Sequence, residues 1–139
     1  MSTHFRDIRA AIKALIQTQA TKVAIVYDYE ASTFTKFPAV VVAPSENQAD
    51  YGDTQKDKDT FVFKLRAYFM VKDENDHPRA ERALEAVVDQ LMTIFRQRDA
   101  LGPVCDWLQP IPSVWQYEIR GEAIYRMAEI TLRATKYIN

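Results

Sequence analysis

The residues of this chain that could perform chemistry are few and scattered. Its one cysteine, Cys105, and its two histidines, His4 and His77, stand in three separate segments, without the paired spacing that zinc sites use. Read plainly, His4 is an exposed terminal residue, His77 lies at a helix entrance and Cys105 is a small buried apolar side chain. A nucleophilic thiol acts as its thiolate, which needs a helix N-terminus or a basic neighbour, and nothing in sequence near Cys105 supplies either. Gly52, Gly102 and Gly121 are the only glycines, too few and too dispersed for a P-loop or a dinucleotide fingerprint. The acidic run Asp73-Glu74-Asn75-Asp76 is followed by His77 and Pro78 where a calcium loop needs further ligands and a glycine. It suits a helix entrance, where negative charge meets the positive end of the dipole. The expectation is a protein that is not an enzyme and holds no cofactor and no metal.

Trp107, Trp115, Tyr117 and Tyr125 gather in the last third of the chain. Sheet packing is the plain account of them. As functional groups, aromatics of this kind stack on bases or anchor protein contacts. Only Arg120 stands between the first and last of them, which ranks protein contact ahead of base stacking. With 18 Lys and Arg against 19 Asp and Glu, a net charge of -1 and a pI near 6.1, the chain lacks the cationic excess that phosphate neutralisation demands. No sequence-specific nucleic-acid binding is expected. No apolar run approaches the roughly 20 residues of a membrane-spanning helix, and the polar start Met1-Ser2-Thr3-His4 does not read as a signal peptide. The lone cysteine suits a reducing compartment.

The 139 residues, 47% apolar and 27% charged, fit one domain, 1–139. From Thr3 onward Phe5, Ile8, Ala11, Ile12, Leu15 and Ile16 recur at helical spacing, and Val23, Ile25 and Tyr27 alternate as a short strand. After Phe37-Pro38, Ala39 to Ala43 is apolar at every position, as a strand buried on both sides would be. Pro44 to Thr60 has little to bury and reads as a long polar loop, functional or disordered at that length. Thr60 to Lys72 alternates, with Phe61, Phe63, Leu65, Ala67, Phe69 and Val71 assigned to the core. A helix follows from about Pro78 to Arg98, on Ala80, Ala83, Leu84, Val87, Val88, Leu91, Ile94 and Phe95. Then come Val104 to Leu108, a corner at Pro110-Ile111-Pro112, and a hairpin of Val114 to Ile119 and Ala123 to Tyr137 around Arg120-Gly121-Glu122. Arg126 and Arg133 are read as facing solvent or a neighbouring chain. The fold class is α+β: a mostly antiparallel sheet backed by two helices, with a long polar loop.

In this order, the opening helix, the strand Phe37-Pro38-Ala39-Val40-Val41-Val42, the polar loop, the strand Phe61-Val62-Phe63-Lys64-Leu65 and the helix through Glu81-Arg82-Ala83-Leu84-Glu85-Ala86-Val87-Val88-Asp89 resemble the tail terminator, or tail completion, proteins of long-tailed bacteriophages. The break at Asp99-Ala100-Leu101-Gly102 and the final strand Ile124 to Ala134 extend the likeness over nearly the whole chain. The resemblance implies a virion protein of the tail and neck region, assembled in the host cytoplasm. It would form a homo-oligomeric ring, a hexamer, on the last ring of the tail tube protein. There it halts tube polymerisation and presents a surface to a head-completion or neck protein. The subunit or tail-tube contacts so implied are Tyr51, Asp53, Lys56, Lys58 and Asp59 from the loop, with Trp115 and Tyr117 from the hairpin. Another phage neck or head-completion protein stays open as an alternative, as does a small ligand-binding or enzymatic α+β domain.

Overall fold

The computed structural model describes residues 4–31, 33–50, 57–97 and 100–138. Helix α1 (His4–Gln19) forms because Ile8, Ile12 and Ile16 fall on one stripe, and all three are fully buried. Strand β1 (Ile25–Tyr27) follows, then β2 (Ala39–Asp50) and β3 (Asp57–Val71). Helix α2 (Asp76–Phe95) buries Ala80, Leu84, Val87, Leu91 and Phe95. A 3-10 turn at Gly102–Val104 leads to β4 (Trp107–Arg120), which returns through a tight turn as β5 (Ala123–Ile138). The five strands form one sheet in the order β1-β2-β3-β5-β4, antiparallel throughout except for the parallel pair β1 and β2. The α+β class and the antiparallel sheet backed by two helices are as the residue pattern indicates.

Both helices lie on one face of the sheet. Val40, Val42, Phe61, Phe63, Leu65, Ala67, Ala128, Ile130, Leu132 and Ala134 point into the layer that α1 and α2 close. Phe5 meets the rings of Phe61 and Phe63 edge-on at 4.8 and 5.6 Å. The opposite face carries a second, smaller core that the alternation alone does not reveal. Ala31 and Phe34, from the connection between β1 and β2, cover Ala39, Val41, Ala43, Tyr68, Tyr125 and Met127. Phe34 stacks on Tyr68 at 4.7 Å, and Arg120 lies over both rings while donating to the Ala31 carbonyl at 2.6 Å. Tyr125 is therefore a core residue.

Three boundaries differ from the sequence reading. Most of the segment assigned to a polar loop is strand: β2 and β3 stay paired to Asp50 and Lys58. Backbone hydrogen bonds to a neighbouring strand need no apolar side chains, so polarity alone did not mark a loop. Lys58 and Asp59 thus belong to β3. Second, Val104 to Leu108 and Val114 to Ile119 are not two elements, because β4 runs unbroken through Pro110 and Pro112. It lies at a sheet edge, where a missing N–H can face outward. Third, α2 ends at Phe95 rather than Arg98, with the Arg96 N–H donating to the Met92 carbonyl.

Asp76 ties the end of β3 to the start of α2. One carboxylate oxygen accepts the N–H of Lys72 at 2.8 Å and of Asp73 at 3.2 Å, and the other accepts from Arg79 at 2.5 Å. These donors, the Lys72 N–H first, hold its pKa below the ordinary carboxylate value. A carboxylate depressed in the folded state stabilises above the unfolded pKa of about 3.9 and loses that contribution as pH falls through the folded value. Asp76→Ala should lower Tm by several degrees at neutral pH, and the gap should close in melts well below pH 3.9. Phe63→Ala should cost about 3–5 kcal/mol in denaturant unfolding, since Phe63 is fully enclosed between β3 and α1.

Candidate functional site

The turn between β4 and β5 fixes what β4 offers to its surroundings. Two residues, Gly121 and Glu122, separate the paired Arg120 and Ala123, and Gly121 has φ +60°, as the first position of a type II′ hairpin requires. Residues flanking such a turn form a hydrogen-bonded pair, and along an antiparallel ladder bonded and non-bonded pairs alternate. Arg120, Glu118, Gln116 and Val114 therefore direct their N–H and C=O groups at β5. Ile119, Tyr117 and Trp115 direct theirs away from the sheet. At Ser113 the register shifts between Pro112 and Val114, and the extra residue restores the outward phase at even positions. Pro112 and Pro110 then occupy outward sites, where their lack of an N–H leaves no ladder bond unmade. Ser113 Oγ secures this bulge, 3.1 Å from the Glu129 carbonyl and 3.0 Å from its carboxylate.

The edge is thus divided. Its first half is blunted by two prolines, one of the devices that keep edges from pairing with other chains. Its second half, Trp115 to Ile119, presents three consecutive outward N–H and C=O sets. The side chains of Trp115, Tyr117 and Ile119 stand on the helix-facing side of the sheet but remain 38%, 46% and 72% exposed, with Ile124 opposite Ile119 exposed as well. This is an apolar margin beside an open backbone ladder.

The two aromatics of that margin are held in place. The Arg126 guanidinium lies 4.6 Å from the Tyr117 ring centre and 5.4 Å from that of Trp115, while its Nε is 2.5 Å from Glu81 Oε1 on α2. The Tyr117 hydroxyl is 2.9 Å from His77 Nδ1 at the start of the same helix. The cation–π contacts restrict both rings, and the hydrogen bond fixes Tyr117 further. Arg126, read from sequence as facing solvent or another chain, supports the rings that do so.

A second feature lies on the other face, a recess of about 370 Å³ lined by Arg66, Tyr68, Val114, Gln116, Glu118, Met127 and Glu129. Arg66 and Glu129 are matched there, while Glu118 Oε2 lies 3.3 Å from the Arg120 guanidinium without a hydrogen bond. Glu129 accepts from Arg66 Nε at 3.0 Å with Lys64 Nζ 3.9 Å away, and Arg66 also reaches Glu30 at 2.6 Å. Burial, with the Glu118 carboxylate nearby, raises the Tyr68 pKa to about 12, so this hydroxyl stays protonated.

Of the contact residues expected from the sequence, the structure brings Trp115 and Tyr117 together on the edge. Asp59 is remote from them. Ala67 shares a row of the sheet with Trp115, and eight residues of β3, roughly 27 Å of strand, separate it from Asp59. Tyr51, Asp53 and Lys56, and the side chain of Lys58, lie outside the described residues. Trp107 is exposed at the far end of β4. The sequence pattern does not mark Ile119 and Ile124, although two prolines inside a strand are a legible sign of an exposed edge. Among the described residues no three His, Cys, Asp or Glu side chains converge as metal ligands, and no helix is long and apolar enough to cross a membrane. Comparison of the chain with known protein families and with curated proteins finds no match in either.

Cys105 is buried, and burial followed by the nearby Asp106 pushes its thiol up to about 11. Against an unfolded value of about 8.5, alkylation of the folded protein at pH 8 should be slower by roughly two orders of magnitude than in denaturant. Equal rates, followed by mass spectrometry, would show an accessible and reactive thiol instead.

Proposed function

We propose that this protein is an assembly subunit of the tail terminator type. Copies of it close into a homo-oligomeric ring on the end of a tail tube, stop further tube polymerisation and give a head-completion or neck protein its docking surface. The observation that carries this is the open half-edge from Trp115 to Ile119 with its exposed, pre-ordered aromatic margin. A long apolar edge left unpaired is a liability that folded proteins ordinarily blunt. This chain blunts one half of β4 and leaves the other open, which is the arrangement of an edge with a partner.

Strand addition supplies directional backbone bonds, and the aromatic margin supplies burial and specificity. A contact between identical copies through two different surfaces generates a closed ring when the rotation closes. Six sheets of five strands each, at about 4.8 Å per strand, would enclose a cylinder roughly 45 Å across at the backbone with the strands along its axis. The helices take the outside of such a cylinder and the polar face bearing Lys64, Arg66 and Glu129 the inside. Assembly in the host cytoplasm and residence in the tail and neck of a virion belong to this reading. A small-ligand domain built on the recess at Arg66 and Glu129 is the weaker alternative, because the ion pairs there compete with any ligand.

Light scattering at high concentration, or in the presence of tail tubes, should give a mass of several subunits, and electron microscopy should show rings. Ile119→Lys places on the open edge the residue that natural edges use against pairing. At a site 72% exposed it should change stability by no more than about 0.5 kcal/mol while abolishing the rings. A wild-type protein that stays monomeric under both conditions would end the proposal.

A further inference from the structure

The sheet has two edges, and the pairing rows state how they would meet. Resting on the ring proposed above, the geometry points to one joint: the open half of β4 pairs antiparallel with β1 of a second copy, Trp115 opposite Val26. The row that contains Trp115 runs through Ala128, Ala67 and Val40 to Val26, so these two residues sit level on opposite edges. Chain direction agrees. β1 is parallel to β2, and three antiparallel steps separate β2 from β4, so β1 and β4 run in opposite senses. A neighbour related by rotation about an axis along the strands therefore presents β1 antiparallel to β4.

Hydrogen-bond phase agrees as well. Carried across the ladders from the Arg120 and Ala123 pair, the alternation puts the outward groups of β2 at even positions. These include Val40, which faces β1, and Pro44, again a proline on an outward site. In a parallel pair each bonding residue reaches the neighbours of the one opposite it, so Val26, opposite Val40, directs its own N–H and C=O away from the sheet, whereas the Ala24 N–H is bonded inward to the Pro38 carbonyl at 2.8 Å and ends the open stretch of β1. Two residues can form a hydrogen-bonded antiparallel pair only if both are outward and their side chains share a face. Trp115 and Val26 satisfy both conditions, since Val26 lies in the core beneath the helices and Trp115 stands on that side. An aromatic set opposite a β-branched residue is a favourable cross-strand pair.

The prolines confine the joint. Pro44 pairs with Phe63, Phe63 with Leu132 and Leu132 with Pro110. Both long edges therefore lose their outward donor in the same row, and a level neighbour finds pairing only on the β1 side of it.

Disulfide trapping tests this register. Gln116 and Ile25 would be the adjoining non-bonded pair, with Cα atoms about 4.5 Å apart and within bridging range. Separately purified Ile25→Cys and Gln116→Cys proteins, mixed and oxidised with copper phenanthroline, should yield a covalent product containing one copy of each, with neither variant linking to itself. If Ile25→Cys fails to fold, Tyr27→Cys with Val114→Cys takes its place, the non-bonded pair on the other side of Val26 and Trp115. A self-linked Gln116→Cys or Val114→Cys product would reveal a symmetric β4-to-β4 contact and overturn the joint. Rings that form with no link in either mixture would overturn it while leaving the ring intact. Absence of any association would overturn the ring and this joint together.

Discussion

Strand β3 sets the phase of the whole sheet. It is paired along its full fifteen residues to β5 and over most of its length to β2, so it can slip by one residue only if every side chain changes face. Phe61, Phe63, Leu65 and Ala67 forbid that slip, because their alternates Lys64 and Arg66 would then enter the helix-covered core. From this one constraint follow the faces of β2 and β5. Through β5 and the Gly121 turn follows the phase of β4, including which of its backbone groups are left without a partner in the sheet.

The two faces are closed by different means. Under the helices the closure is apolar and continuous. On the other face a short connection places Phe34 over Tyr68 and Tyr125, and Arg120 fastens that cover to the end of β4. Farther along the same face, Lys64 and Arg66 neutralise Glu129, to which Ser113 also donates a hydrogen bond. Only part of a pair like Arg66 with Glu129 is out of water, so its value lies more in fixing geometry than in net stability. The bulge at Ser113 depends on it. Without the extra residue there, Pro110 and Pro112 would turn toward β5 and break the ladder, or Trp115 would turn away from Arg126.

Much of this was legible in the residues. Ile8, Ile12 and Ile16 specify α1, and the alternation from Phe61 to Val71 gives β3 and its buried side, since both patterns are products of burial on one face. What escaped was set by contacts distant in sequence. The polar residues Asn47 to Asp50 show no strand pattern, yet their backbone pairs with β3 because Val40 to Ala43 have already fixed the register. Phe34 sits in a connection without periodicity, so its place over Tyr68 could not be read locally. Of the candidate site, the weight given to Trp115 and Tyr117 came from composition. Their grouping with Ile119 and Ile124, and the support from Arg126, Glu81 and His77, arise only when β5 and α2 are laid beside β4.

An edge open over only half its length has consequences for how such a subunit would assemble. β1 is three residues long, so a single joint with it can form few backbone bonds, each worth about 0.5–1.5 kcal/mol net. Against the translational and rotational freedom lost on association, about 4–15 kcal/mol, one joint of that size is weak. A closed ring differs from an open chain of the same subunits, because the last contact joins ends already held together at high effective concentration. Weak joints therefore disfavour short open oligomers and favour closure, above all on a template that gathers the copies. A ring of the proposed kind, capping a tube without polymerising beforehand, would require that balance. In the proposed ring, Pro44, Pro110 and Pro112 would maintain it by keeping the joint short, which a fully open edge beside the same aromatic residues would not.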